Sequence, residues 1–599
     1  MVLPTRNEVS DSLKWDLSRI FKNDQEWEEE FKNISQKIAK IPTYSQNFTQ
    51  SATNLYNGLT AITSIERQLE KLYSYATLSS DADTTNTHYL GYVAQVQDLV
   101  TKMNANSAFV DPAILEIDEK TLTQFIEDDP RLELFTHKFE ELTKKRPHTL
   151  SADKEKIIAD ASSALNSSAN TFNILTNSDI EYGFTQDDSG EMVQLSEGIY
   201  STLIQSANRS VRKNAFTTLY DSYAQFNNTL ASTLAGNVKM QNYQAQVHNY
   251  NSAKEASLAA NNIPNIVYDT LIKQVNEHLP LFHRYIALRK KILSLPDLQM
   301  YDMYVPLTGK PALSYNFEEA KIEAKKALAI LGDDYLKQVD YIFNNRVIDP
   351  IESKGKVTGA YSGGSYDTDA YELLNWTNDV DSLYTLVHET GHSVHSMYTR
   401  QTQPYIYGDY PIFVAEIAST TNENLLTEYF LENIQDPKTR AFVLNYYLDA
   451  VKGTLFRQTQ FAEFEQFIHE ADSQGIPLTA ETLNNAYSNL NSRYYGKDVE
   501  PGGDIAMEWS RIPHFYYNFY VYQYATGFAA ASALADGIMH GDSTQRDKYL
   551  EFLKAGSSDY PVNLVKKAGV DMTKPDYLEN TFNTFEKRLN ELENLTNTL

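Results

Sequence analysis

The sequence predicts a mainly α-helical protein in which two short stretches form β-structure. Apolar residues recur at helical spacing in several segments, for example Leu69, Leu72, Tyr73 and Ala76, and again Leu271, Val275, Leu279 and Phe282. Two stretches instead show alternation or closely spaced glycines. The chain has 599 residues, more than one ordinary core holds, so we expect several domains or one large helical assembly with lobes.

The first β-segment is a predicted hairpin. Apolar and polar residues alternate over residues 180–184, the turn sequence Asp-Asp-Ser-Gly follows at 187–190, and alternation resumes up to Leu195. We therefore expect an N-terminal helical region over residues 1–195 that ends in this hairpin. Residues 196–599 form the second predicted region, and it contains all the chemical motifs described below.

The second β-segment precedes a predicted helix. Residues 354–376 contain four glycines among valines and tyrosines, which predicts glycine turns between short strands. Residues Leu383 to Arg400 then show helical spacing, with Asp381 as the expected N-cap. The prediction is a small β-sheet beside this helix.

The predicted helix carries the sequence His-Glu-Thr-Gly-His. His388 and His392 are four residues apart, so their imidazoles project from one face, as two ligands of one metal ion require. Glu389 is offset by about 100° and can reach a water on that ion. This is the H-E-x-x-H arrangement, in which the glutamate acts as the general base.

A third ligand is predicted downstream. Glu416 lies inside the apolar run 412–418, where a buried carboxylate needs a cation. Glu423, seven residues later on nearly the same face, is expected to accept a hydrogen bond from a ligand imidazole. His395 stands where a longer zinc motif would have glycine, so we expect His395 to be structural. The pattern favours a site of two histidines and one glutamate.

An aromatic segment at residues 511–524 predicts a second half of the site. Pro513 suits the start of a helix. At 100° per residue the stripe on one face consists of His514, Tyr517, Val521 and Tyr524, with Tyr520 at its edge. One imidazole and several tyrosine hydroxyls supply hydrogen-bond donors for an oxyanion.

The composition excludes several function classes. The net charge of −27 disfavours nucleic acid and anionic membrane surfaces as partners, because both need clustered Lys and Arg. The chain has no cysteine, which excludes disulfides and thiolate chemistry. Residues 1–21 lack the apolar core of a signal peptide, and the apolar run at 527–539 is too short to span a bilayer. A cytoplasmic location is expected.

The motifs resemble the oligoendopeptidase F branch of the thimet oligopeptidase superfamily of zinc metallopeptidases. The resemblance rests on residues 386–395, 413–423 and 512–527, and on the glycine-rich segment 358–362. It implies a large two-lobed helical ellipsoid with a deep substrate channel and a small sheet beside the zinc-binding helix. Folded proteins would not reach the metal in such a channel, so the implied substrates are short unstructured oligopeptides.

The resemblance also implies roles for single residues. The implied ligands of one Zn²⁺ per chain are His388, His392 and Glu416. Glu389 would be the general base, and His514 with a tyrosine would bind the substrate or the oxyanion, with Tyr524 favoured over Tyr517. The residues expected along the peptide path are Gly359, Tyr361 and Tyr520.

Three alternatives stay open at this point. A zinc carboxypeptidase or dipeptidase would need a cation for the terminal carboxylate, and Arg511 and Arg493 are available. A non-catalytic helical peptide-binding protein would need no intact set of ligands and base. Cobalt or manganese suits the same ligand set as zinc.

Overall fold

The computed structural model describes residues 3–309, 313–500 and 503–597. Helix accounts for 72% and strand for 3% of the chain, against roughly a third and a fifth to a quarter in ordinary globular proteins. The predicted mainly α-helical class with a small sheet is therefore confirmed. Within the described ranges, no helix is long and apolar enough to cross a membrane. The expected cytoplasmic location stays a prediction.

The α-helices are numbered in chain order. Those before residue 313 are α1 (Asp24–Ile38), α2 (Ala52–Ala82), α3 (Thr87–Ser107), α4 (Val110–Glu116), α5 (Glu119–Asp128), α6 (Thr136–Lys145), α7 (Ala152–Leu165), α8 (Ser167–Ile174), α9 (Glu197–Leu203), α10 (Arg209–Ala224), α11 (Asn227–Val247), α12 (Ala253–Ala259), α13 (Asn265–Glu277) and α14 (Leu279–Ile292). Those after it are α15 (Phe317–Leu328), α16 (Asp333–Asn344), α17 (Val380–Thr402), α18 (Ile412–Asn433), α19 (Pro437–Val451), α20 (Arg457–Ser473), α21 (Ala480–Tyr495), α22 (Tyr522–His540), α23 (Ser543–Leu553), α24 (Pro561–Lys567) and α25 (Asp576–Thr596).

The backbone separates into two compact units, each built from three segments. Unit 1 comprises residues 1–147, 313–429 and 534–569, and unit 2 comprises 148–312, 430–533 and 570–599, within the described ranges. The boundary expected at residue 195 falls inside unit 2. The predicted division of the sequence into regions 1–195 and 196–599 therefore stays a prediction.

The small sheet belongs to unit 1 and lies against α17. Its strands are β3 (Ile348–Asp349), β4 (Tyr361–Gly363) and β5 (Tyr371–Leu373), in the order β3-β5-β4. β5 is buried and pairs in parallel with β3 and antiparallel with β4. β4 is therefore an edge strand of this sheet. The predicted short strands before the helix are confirmed.

Helix α17 begins earlier than the sequence predicted. Asp379 is the N-cap, since its carboxylate accepts a 2.8 Å hydrogen bond from the Ser382 backbone N–H. The prediction of Asp381 as the cap is wrong, because Asp381 lies inside the first turn. A carboxylate there still favours the helix through its dipole.

Unit 2 contains the predicted hairpin. Its strands are β1 (Phe184–Gln186) and β2 (Met192–Gln194), which pair antiparallel with Thr185 opposite Val193. The periodic segment around residues 271–282 is helical but divides at His278 into α13 and α14. A proline at 280 suits the first turn of α14 and explains the new start.

Candidate functional site

Helices α17 and α18 approach each other closely at Gly391. A Cβ atom at this position would lie 2.7 Å from Ser419 Cα and 3.1 Å from the Ala418 carbonyl oxygen. A residue without a side chain is therefore needed here. Asn422 on α18 donates a 3.2 Å hydrogen bond to the Val387 carbonyl oxygen, which fixes the position of the two helices along each other.

This contact brings three predicted ligands together. His388 Nε2 lies 3.2 Å from His392 Nε2 and 3.3 Å from Glu416 Oε2. His392 Nε2 lies 3.5 Å from the same Glu416 oxygen. Tetrahedral zinc with bonds of about 2.0–2.1 Å separates its ligand atoms by about 3.3 Å. The three side chains thus have the spacing of a metal site, and they form a group of potential metal ligands among the described residues.

Glu423 orients one of these imidazoles. Its carboxylate accepts a 2.7 Å hydrogen bond from His388 Nδ1, which leaves the lone pair on His388 Nε2 facing Glu416. Two acceptor atoms at 3.3 Å repel each other unless a proton or a metal ion lies between them. Sequence reasoning placed Glu423 on the correct helix face for this contact.

The pKa shifts of His388 and Glu416 also indicate that positive charge is favoured between these side chains. Burial acts to lower the pKa of His388, but its bonds to Glu416 and Glu423 outweigh burial and raise the pKa well above its usual value. Burial acts to raise the pKa of Glu416, but His388 and His392 lower that pKa below its usual range. The carboxylate thus stays ionised and ready to bind a cation.

Glu389 lies beside the group without joining it. Its side chain is buried, with 6% exposure. Burial raises the pKa of Glu389, and the imidazoles of His388 and His392 offset this only in part. A raised pKa makes this carboxylate a stronger proton acceptor, as a general base requires.

Glu372 is a buried acid that sequence reasoning missed. It is the central residue of β5 and is fully buried. Burial raises the pKa of Glu372 to about 8, the hydroxyls of Ser393 and Thr390 act in the lowering direction, and the charge of Glu389 acts in the raising direction. The available signal was an acid inside the apolar run 370–374, the same signal that identified Glu416.

His395 lies outside the ligand group. It is buried, and its ring stacks on Tyr410 with 3.6 Å between ring centroids. Burial lowers the pKa of His395 to about 3, so the ring is neutral. These contacts agree with the structural role expected for it.

The aromatic segment in unit 2 differs from the predicted single helix. A short 3-10 helix spans Pro513–Tyr516, and α22 begins only at Tyr522. Between them Asn518 and Phe519 have φ angles of 53° and 56°, a left-handed conformation that interrupts any α-helix. The helix prediction over residues 513–524 is therefore wrong.

The predicted side chains nevertheless meet. His514 Nε2 lies 3.4 Å from Tyr524 Oη, and the ring of Tyr520 lies 5.4 Å from that of Tyr524. Tyr517 contacts the His514 ring at 5.6 Å but is 55% exposed. Val521 is fully buried and does not share this surface. Burial, with the charge of Arg457 in addition, lowers the pKa of His514, so its imidazole is neutral.

A buried acid in α20 anchors the left-handed turn. Glu465 accepts a 2.6 Å hydrogen bond from the Phe519 backbone N–H, and burial raises the pKa of Glu465 to about 8. Ser257 donates a 2.6 Å hydrogen bond to the Asn518 carbonyl oxygen, and the Phe519 ring packs 4.7 Å from that of His469. These contacts hold a conformation that costs roughly 1–3 kcal/mol per residue.

The residues predicted along the peptide path have different environments. Tyr361 begins β4, and its hydroxyl donates a 2.7 Å hydrogen bond to Asp81. Gly359 has a φ of 82° with open space where a Cβ would lie, and its carbonyl oxygen accepts from Asn375. A contact with substrate at these positions would therefore use the β4 backbone rather than the tyrosine hydroxyl.

The two arginines considered for an exopeptidase are both paired. Arg511 forms an ion pair with Glu197, and Arg493 forms one with Glu463. Neither cation is thus available as an unpaired anchor for a terminal carboxylate.

Comparison with known proteins agrees with these observations. Residues 202–584 match the model of peptidase family M3, and residues 114–182 match that of oligopeptidase F. The chain is 48% identical to the group B oligopeptidase PepB of Streptococcus agalactiae over 98% of each chain. It is 48% identical to the oligopeptidase PepF of Bacillus subtilis over 99% of this chain and 88% of that one.

A solved structure shows the same fold. The oligoendopeptidase-F of Enterococcus faecium is 43% identical, with a TM-score of 0.77 over 96% of this chain and 100% of that one. The fold, the ligand group and the matches define the class of the chain as a metallopeptidase. It belongs to peptidase family M3, in the oligoendopeptidase F group. The resemblance that the motifs indicated is confirmed.

Proposed function

We propose that this chain is a zinc-dependent endopeptidase that hydrolyses internal bonds of short, unstructured oligopeptides. The observation that carries the proposal is the triangle of ligand atoms from His388, His392 and Glu416. Its edges of 3.2, 3.3 and 3.5 Å match the spacing of about 3.3 Å in tetrahedral zinc. With three protein ligands, a bound zinc ion would keep one position open, as catalytic zinc sites do.

The chain's own residues supply the proton chemistry. A zinc ion held by the three ligands would supply a Lewis acid for water and for the peptide carbonyl. Glu389 is next to this position, buried, and has a raised pKa. We assign it the removal of a proton from the attacking water and the transfer of that proton to the leaving amine. Glu423 keeps the His388 imidazole in the orientation that metal binding needs.

We assign peptide binding to two sets of residues. The edge strand β4, together with the residues before it from Gly359 onward, offers backbone groups for pairing with an extended peptide of varied sequence. In unit 2, His514 and Tyr524 are assigned to the oxyanion or the substrate, with Tyr517 second. Tyr524 is favoured because it is half-buried and hydrogen-bonded to His514. Tyr520 is assigned to the substrate.

The test uses a ten-residue peptide blocked at both ends. Zinc-loaded enzyme is expected to cut it internally, as seen by mass spectrometry, and Glu389→Gln is expected to keep about one zinc per chain while losing roughly a hundredfold to ten-thousandfold in kcat. Glu133→Gln, an exposed substitution in unit 1, is the matched control. Cleavage from one end of unblocked peptides alone would favour the carboxypeptidase alternative. A chain that takes up no zinc on titration would refute the proposal.

A further inference from the structure

Unit 1 contains a cavity separate from the ligand group. Its volume is about 620 Å³, within the range of about 300–1,000 Å³ that small-ligand sites occupy. The walls come from α2, from the end of α3 and the start of α4, from Lys138 on α6, from residues 364–366 after β4, from the end of α17 and from the loop that follows it. None of the ligands His388, His392 and Glu416 lines it.

Strand β4 and helix α17 both extend from the ligand group to this cavity. Ser362 on β4 hydrogen-bonds Ser393 on α17 at 2.9 Å, and Arg400 at the other end of α17 donates to the Gly364 carbonyl oxygen at 3.3 Å. β4 and α17 therefore run side by side in the same direction. Eight residues separate His392 from Arg400, which is about 12 Å along a helix. An extended peptide covers this distance in about four residues.

The cavity wall has more negative than positive charge. Its acidic residues are Glu66, Glu70, Asp111 and Asp409, and its basic residues are Lys138 and Arg400. Lys138 lies 3.7 Å from Asp111 and so pairs with it. Burial raises the pKa of Glu66, and the charge of Lys138 offsets this only in part. The carboxylates of the wall thus outnumber its basic groups and can bind an additional cation.

Arg400 gives a second, independent indication of a ligand. Its guanidinium Nη2 donates to Gly364, but Nη1 is buried at the cavity wall with no hydrogen-bond partner in the described residues. A buried N–H without an acceptor is rare and costly. A carbonyl oxygen of a peptide that continues along β4 would satisfy it.

We propose that this cavity is a subsite for a cationic group of the substrate peptide, about three or four residues from the cleaved bond. Glu66 and Glu70 face the ammonium or guanidinium of a lysine or arginine side chain, and Arg400 donates to a carbonyl oxygen of the same peptide. A free N-terminal amine at the same position has the same chemistry. The inference rests on the proposed peptidase function and adds a sequence preference to it.

The test compares peptides that differ only in one charge. In a ten-residue peptide blocked at both ends, each position from four before to four after the cut carries Lys or Gln in turn. Wild-type enzyme is expected to prefer Lys at one position, three or four residues from the cut, by roughly five- to twentyfold in kcat/KM. A second series with a free N-terminus at that position distinguishes a terminal amine from a side chain.

Substitutions in the cavity wall test whether the preference for Lys over Gln arises there. The ratio of kcat/KM for the Lys and Gln peptides is expected to fall to about one in Glu66→Gln/Glu70→Gln. It is expected to stay as in wild type in Glu127→Gln/Glu133→Gln, which removes the same charge at exposed positions of unit 1. Glu70→Lys is expected to reverse the preference, so that the Gln peptide becomes the better substrate. In wild type the preference is expected to weaken as salt rises.

The outcomes separate the two proposals. Cleavage of all peptides with equal kcat/KM overturns the subsite and leaves the peptidase function standing. A Lys preference that persists in both double variants also overturns the subsite. Failure of zinc-loaded wild type to cut any peptide overturns the proposed function, and the subsite with it.

Discussion

Replacing Gly391 by alanine tests how the metal site depends on the contact between α17 and α18. The new Cβ would lie 2.7 Å from Ser419 Cα, about 0.8 Å closer than ordinary contact between carbon atoms. The obstructing atom is backbone, so one helix must move. Glu416 lies one turn from Ser419 on the moving helix, whereas zinc sites tolerate changes of about 0.2 Å in ligand distances.

We therefore expect Gly391→Ala to weaken zinc binding by roughly ten- to a hundredfold and to lower the free energy of unfolding by about 1–3 kcal/mol. Competition with a chromogenic chelator measures zinc affinity, and urea unfolding of the metal-free protein measures stability. Gly91→Ala is the control, because Gly91 lies inside α3 and a Cβ there meets nothing within 4 Å. It should raise stability by about 0.5–1 kcal/mol and leave zinc affinity unchanged. Wild-type zinc affinity in Gly391→Ala would refute the reasoning.

Three further predictions concern the groups around the site. Glu423→Ala should weaken zinc binding about ten- to a hundredfold in the same competition assay, because His388 loses the acceptor that orients it; an unchanged affinity would contradict this role. Burial lowers the pKa of His395 to about 3 from 6.5, so below pH 6.5 the unfolded chain binds a proton that the folded chain excludes. As the pH is lowered below 6.5, the free energy of unfolding should then decrease by up to about 1.4 kcal/mol per pH unit. In His395→Gln, the free energy of unfolding measured in urea should depend less steeply on pH; an equally steep dependence would argue against this. Glu465→Ala should lower the melting temperature and the turnover of peptides, because the Phe519 N–H loses its buried acceptor; normal turnover would show that the turn holds without it.

Local sequence patterns predicted the motif-bearing helix well. Four-residue spacing places His388 and His392 on one face of any α-helix, so their alignment needs no information from the rest of the chain. The same holds for the hairpin, whose alternation and Gly190 turn are contained within a few residues. The N-cap was missed by two positions, because Asp379 and Asp381 are both acceptable caps and only the backbone geometry distinguishes them.

The aromatic segment at residues 513–524 shows where local sequence patterns fail to predict the backbone. Helical spacing over residues 513–524 predicted one helix, but the left-handed residues Asn518 and Phe519 break it. The groups that hold this turn are Glu465 and Ser257, which lie far away along the chain. Asn518 tolerates the left-handed conformation, but a single asparagine also occurs within helices, and neither position is a glycine. The meeting of His514 with Tyr524 was predicted correctly, although on an incorrect backbone.

The sequence by itself determined the helical class, the pair of histidines on one helix face that we propose as metal ligands, and the identity of Glu389 as the acid next to that pair. It also selected Glu416, because an acid within an apolar run needs a partner, and Glu423, because it lies seven residues later on nearly the same helix face. The tertiary structure alone decided that these acids meet the imidazoles, since that depends on the close approach at Gly391. Periodicity acts over a few residues and is visible in sequence, whereas helix packing brings together positions that no local pattern connects.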